Sequence, residues 1–137
     1  MAAYVKVAGG IESLLEPINT GTDQWAFALT NTVPGSSTFV SGTTDLATSG
    51  GYTAGGANVT TTTSAEAAGT FKLVLAAPAV WTASGGGFTF RYVLLVNKTQ
   101  NIVPGYWDNG SSIVMNGTNA DTFTFTPDGT NGVFTVA

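Results

Sequence analysis

The stretch Phe88-Thr89-Phe90-Arg91-Tyr92-Val93-Leu94-Leu95-Val96-Asn97 decides the fold class. Phe88, Phe90, Tyr92, Leu94 and Val96 alternate with Thr89, Arg91, Val93, Leu95 and Asn97, which is the two-residue period of a β-strand. The first series is apolar throughout and the second turns apolar midway. The segment therefore reads as a central strand that crosses the core with one face wholly apolar. The same period recurs on both sides of it. Trp25, Phe27 and Leu29 alternate with Ala26, Ala28 and Thr30; Phe71, Leu73 and Leu75 alternate with Lys72 and Val74; Phe123 and Phe125 alternate with Thr122, Thr124 and Thr126. Val133 to Val136 reads as a last strand after the turn Pro127-Asp128-Gly129-Thr130-Asn131-Gly132. Gly50-Gly51, Gly55-Gly56, Gly85-Gly86-Gly87 and Asn109-Gly110 punctuate the runs, and such pairs favour tight turns between antiparallel strands.

Short strands spaced this way predict an all-β chain: one antiparallel β-sandwich over residues 1–137, with residues 1–6 as a flexible N-terminal arm. Thr60-Thr61-Thr62-Thr63 is β-branched but polar on both faces, so it belongs at a sheet edge or against a partner. One short helix is expected at Ile11-Glu12-Ser13-Leu14-Leu15-Glu16, where Ile11, Leu14, Leu15 and Ile18 have helical spacing and Pro17 blocks extension.

Composition narrows the functions open to such a domain. Cysteine and histidine are both absent, which removes disulfides, thiolate metal sites and the commonest general base. Only 9% of the 137 residues are charged, against roughly 25% in a typical soluble domain. The four cations, Lys6, Lys72, Arg91 and Lys98, do not cluster, and the net charge is -4. Neither nucleic acid nor an anionic membrane is expected as a partner, because both need a basic patch. Threonine, at 23 residues, takes the place of charge on the surface. No apolar run approaches the roughly 20 residues of a membrane-spanning helix. The start of the chain lacks a basic segment followed by an apolar one, so synthesis in the cytoplasm without a signal peptide is expected.

Carboxylates are the remaining catalytic apparatus, and no pair stands out. Glu12 and Glu16 share a helix face and read as solvated charges. Asp108, Asp121 and Asp128 each adjoin Asn or Gly and read as turn residues. Asp128-Gly129-Thr130-Asn131-Gly132 lacks the alternating ligands and closing Glu of a calcium loop. The acceptor patterns at Asn58, Asn97, Asn109 and Asn116 are expected by chance in a chain this rich in Asn and Thr. No catalytic residue, metal or cofactor is therefore assigned. The aromatics offer a better lead. Trp25 alternates with core positions and is expected in the core. Trp81 opens a Gly-rich loop, and Tyr106-Trp107 places adjacent rings on opposite faces of a strand, so that one points away from the core. Trp81, Tyr106 and Trp107, with Thr60, Thr61, Thr62 and Thr63, are the candidate interface residues, and for Trp107 interface and core both stand open. Exposed rings of this kind anchor proteins or stack on sugars.

A series of blocks carries a family resemblance. They are Trp25-Ala-Phe-Ala-Leu-Thr-Asn-Thr32 with Pro34, Gly51-Tyr-Thr-Ala-Gly-Gly56, Gly69-Thr-Phe-Lys-Leu-Val-Leu-Ala76 and Trp81-Thr-Ala-Ser-Gly-Gly86. Phe90-Arg-Tyr-Val-Leu-Leu-Val-Asn97, Gly105-Tyr-Trp-Asp108 with Gly110-Ser111, and Asp128-Gly-Thr-Asn-Gly-Val-Phe-Thr-Val-Ala137 complete it. The series spans nearly the whole chain and resembles small structural proteins of tailed-phage and prophage virions, similar to capsid cement or head decoration proteins. The resemblance implies a jelly-roll-like sandwich that binds the major capsid protein and itself, as a dimer or trimer on the capsid surface, without catalysis. Two alternatives accompany it: a tail or head–tail virion protein, and a carbohydrate-binding or adhesin module using Trp81, Tyr106 and Trp107.

Overall fold

A computed structural model describes residues 2–7, 19–76 and 79–136. Ten strands follow in chain order: β1 (Tyr4–Lys6), β2 (Trp25–Thr30), β3 (Ala57–Val59), β4 (Thr61–Ala67), β5 (Thr70–Leu75), β6 (Ala79–Thr82), β7 (Phe88–Asn97), β8 (Ile102–Met115), β9 (Thr122–Phe125) and β10 (Phe134–Val136). One sheet has the order β1-β8-β7-β2-β3, a second β10-β5-β4, and a third pairs β6 with β9. Every pairing is antiparallel. The arrangement is all-β, as the periodicity predicts, with the two smaller sheets packed over one face of the five-stranded one. The expected helix at Ile11–Glu16 lies outside the described residues. The expected arm at 1–6 is otherwise engaged: Tyr4, Val5 and Lys6 pair with Trp107, Tyr106 and Gly105 as the edge strand β1.

β2 and β7 form the middle of the main sheet, and all six residues of β2 are buried. Trp25, Phe27 and Leu29 enter the principal core between the sheets, with Leu73 and Leu75 of β5, Trp81 of β6 and Phe125 of β9. Ala26 and Ala28 point to the other face, where Val7, Phe39, Leu94, Val96 and Val103 make a second, smaller cluster. The chain around Phe39 covers that face by running beside β8, with Phe39 N bonded to Asn101 O at 2.8 Å and Val103 N to Ser37 O at 2.7 Å. Each fully buried Leu or Phe contributes roughly 1.5–3 kcal/mol.

The deciding strand departs from simple alternation. Phe88 and Phe90 share the principal core with Val93 and Leu95, whereas Leu94 and Val96 lie on the opposite face. The apolar series thus changes face beside Arg91. The cause is a bulge against β8: Phe90 pairs with Ile113 and Tyr92 with Asp108, so residues 109–112 stand opposite Arg91 alone. Slipping by one residue exchanges the faces of a strand, and here the exchange is built in. The Asn109-Gly110 pair, read as a break between strands, sits inside this bulge of the 14-residue β8. Gly110 has φ +85°, which suits the bend.

Two polar devices fix the loops. Asp45 is 4% exposed and accepts from Gly42 N, Gly55 N and the Tyr52 hydroxyl, each at 2.6 Å. The Tyr52 oxygen also accepts from Leu29 N at 3.1 Å, which ties the 42–55 loop to β2. Asn97, fully buried, donates to Asp23 and accepts from Gln100 N, closing the turn after β7. A buried carboxylate or amide is tolerated only when satisfied in this way.

Candidate interface

Trp81 lies on β6 opposite Phe123 of β9 and stacks on it, with ring centroids 5.8 Å apart at 22°. It is 5% exposed. Trp107 is 6% exposed and meets Phe125 at 5.0 Å, Tyr4 at 5.2 Å and Phe27 at 5.9 Å. Trp81, read as opening a Gly-rich loop, lies within strand β6, and its ring is covered by Phe123 of the paired strand β9. For Trp107, left open between core and surface, the structure gives the core. Such aromatic pairs add about 0.5–1.5 kcal/mol each beyond area burial, so substitution at either indole perturbs the fold itself.

Tyr106 does point to the opposite face, as the strand period requires, but that face is also covered. It is half-buried, packs against the smaller cluster, and meets Tyr92 edge to face at 5.6 Å. Trp81, Tyr106 and Trp107 are therefore not brought together as one surface platform.

The threonines are elsewhere. Thr60 ends the crossing from the main sheet to the second one, its carbonyl bonded to Ala76 N at 2.8 Å. Thr61, Thr62 and Thr63 begin β4, the outer strand of its sheet, with Thr62 and Thr63 exposed. The edge position read from their polarity is where the structure has them.

Charged side chains hold local geometry. Arg91 grips Asp108 through Nε–Oδ1 and Nη2–Oδ2, both 2.9 Å, and Asp108 Oδ1 also accepts from Gly110 N at 2.7 Å. The guanidinium first, and the Gly110 N–H second, hold the Asp108 carboxyl below the usual carboxylate range. Arg91 further lies 5.1 Å from the centroid of the Tyr92 ring. In the 128–132 turn, Asp128 accepts from Thr130 N and Asn131 N at 2.8 Å and from Asn131 Nδ2 at 3.0 Å. The Asn131 backbone bond is the largest cause of its lowered pKa. Lys72 reaches Thr130 O and Lys98 reaches Asn58 Oδ1. Among the described residues no group of three or more acids could hold a metal.

Two of the concavities among the described residues border the main sheet. One, of about 280 Å³, is an apolar groove lined by Phe90, Val93, Trp107, Phe123 and Phe125, with Ala2 and Asn109 at its rim. The other, of about 540 Å³, separates β1 from β10 and is lined by Tyr4, Lys6 and residues 131–136. Sequence reasoning names neither, because each is formed by strands far apart in the chain. The glycine at 105 gave the nearest signal. A Cβ there would lie 2.1 Å from the Tyr4 ring, so Gly105 leaves the notch that Tyr4 fills. Comparison of the chain with family models, with curated proteins and with solved structures gives no match.

Proposed function

We propose that this chain is a decoration or cement protein of a tailed-phage capsid, which binds the assembled shell as a homo-oligomer and stabilises it without chemistry. The observation that carries the reading is the employment of its polar groups. Asp45, Asn97, Asp108 and Asp128 all hold loops or bulges, while the exposed edge strand β4 offers uncharged Thr, Ser and Ala apart from Glu66. That economy suits a rigid part whose work is contact. The block series along the chain supplies the virion context. The pairings also nest: β1 with β8, β2 with β7, β4 with β5, and β3 beside β6. The nested pairs support an antiparallel sandwich, and the direct β7–β8 pairing within one sheet departs from a jelly roll, which divides the β1–β8 and β2–β7 pairs between two sheets.

A protein that binds the shell but not free subunits stabilises it by mass action, about 2.7 kcal/mol per site at a hundred times the dissociation constant. The test is to count copies of this chain per major capsid protein in purified virions, before and after tails are removed. Hundreds of copies retained on tail-free heads are expected. Copies that travel with tails move the protein to the tail, and absence from virions removes the reading.

A further inference from the structure

We propose that β4 is a self-pairing edge, joining two copies of this chain through antiparallel β4–β4 contact about a two-fold axis at Ser64. The edges of the two larger sheets differ in length. β1, β3 and β10 have three residues each, whereas β4 has seven, and no described strand lies beyond it. Long edges are normally blunted by charge, proline or a bulge. β4 has no proline, Glu66 as its one charge, and a register slip only at its Thr61/Thr63 end.

The hairpin fixes which backbone groups face outward. Ala67 pairs with Thr70 across Ala68 and Gly69, whose φ values of +51° and +80° belong to a two-residue type I′ turn. The closing pair of such a turn exchanges both hydrogen bonds, so Ala67, Ala65 and Thr63 bond toward β5. Ser64 and Glu66 therefore turn their N–H and C=O groups away from β5. Ser64 is also the midpoint of Thr61–Ala67. A two-fold axis there sets Ser64 against Ser64 of the second copy, with Thr63 opposite Ala65 and Thr62 opposite Glu66.

This register explains the chemistry of the strand. The two Glu66 carboxylates face threonines instead of each other, separated by about 13 Å along the strands. The facing side chains are small, and the central pairs supply about four to six backbone hydrogen bonds. The Ser64 hydroxyl is bonded to Thr20 Oγ1, on the face perpendicular to those backbone groups. A foreign strand would meet the same edge, but only a second copy meets its own symmetric spacing of Glu66 and Thr62. The pairing deepens the homo-oligomer part of the proposed function and needs no shell, so a negative virion count leaves it standing.

The test uses the purified full chain, which has no cysteine of its own. Sedimentation equilibrium is expected to give a concentration-dependent species of twice 13.9 kDa. Ser64→Cys places two thiols at the axis within disulfide reach, and mild oxidation should crosslink it about tenfold faster than Glu66→Cys alone. A mixture of Thr62→Cys and Glu66→Cys should crosslink with each other. Ser64→Pro removes an outward N–H that has no acceptor among the described residues, so it should stay folded and become monomeric. A wild-type chain that stays monomeric at millimolar concentration, or a dimer whose crosslinking is no faster at 64 than at 66, overturns the proposal.

Discussion

At the scale of single residues, two buried phenols behave oppositely. Tyr52 OH donates to Asp45 and accepts from Leu29 N, while the buried Tyr4 hydroxyl has no partner among the described residues. Removing the Tyr52 hydroxyl strands the buried Leu29 N–H and takes from Asp45 Oδ2 one of its two donors, leaving it Gly55 N. Tyr52→Phe should therefore cost about 1–3 kcal/mol in urea unfolding, whereas Tyr4→Phe should be neutral or slightly stabilising. Burial, the largest cause at both sites, raises both phenol pKa values above the ordinary 10.0, reinforced at Tyr52 by the Asp45 hydrogen bond. The unfolded chain then loses these protons first as pH rises. Stability is fully present below about pH 10 and falls as pH climbs above it. Thermal melts in alkaline buffers should show this decline, and it should be shallower in both Phe variants.

At the scale of elements, the loop from Ala83 to Gly87 packs backbone against backbone. A Cβ at Gly87 would lie 2.0 Å from Met115 O, and one at Gly50 would lie 1.9 Å from Gly87 O. Gly87 also has φ +70°. Its neighbour Gly86 has open space and an ordinary φ. Gly87→Ala should cost about 2–4 kcal/mol and Gly86→Ala should stay within about 0.5 kcal/mol, as read by urea midpoints. The contrast bears on what the sequence discloses. Periodicity located β2, β5, β7, β9 and β10, since each carries apolar residues two apart. It did not locate the face change at Arg91, because that follows from three extra residues in β8, on the partner strand. Nor did it read Ala79–Thr82 as a strand: the burial of Trp81 comes from Phe123, some 40 residues later in the chain. The polarity of Thr60–Thr63 was legible because an edge imposes its demand locally. The Asp45 clamp was not, since its donors at 42, 52 and 55 follow no period.

At the scale of the whole molecule, distant segments close the sandwich: Tyr4 pairs with Trp107, and Trp25 with Asn97. Such non-local pairing places refolding in the millisecond-to-second range typical of β-sandwiches. The same closure brings β1 and β10 to either side of one cleft, on the flank of their sheets remote from β4. Both strands are edges of their sheets, so that cleft lies at the margin opposite β4. Cargo joined to β1 or β10 would hang from that margin like a pennant, with the β4 margin opposite clear for docking.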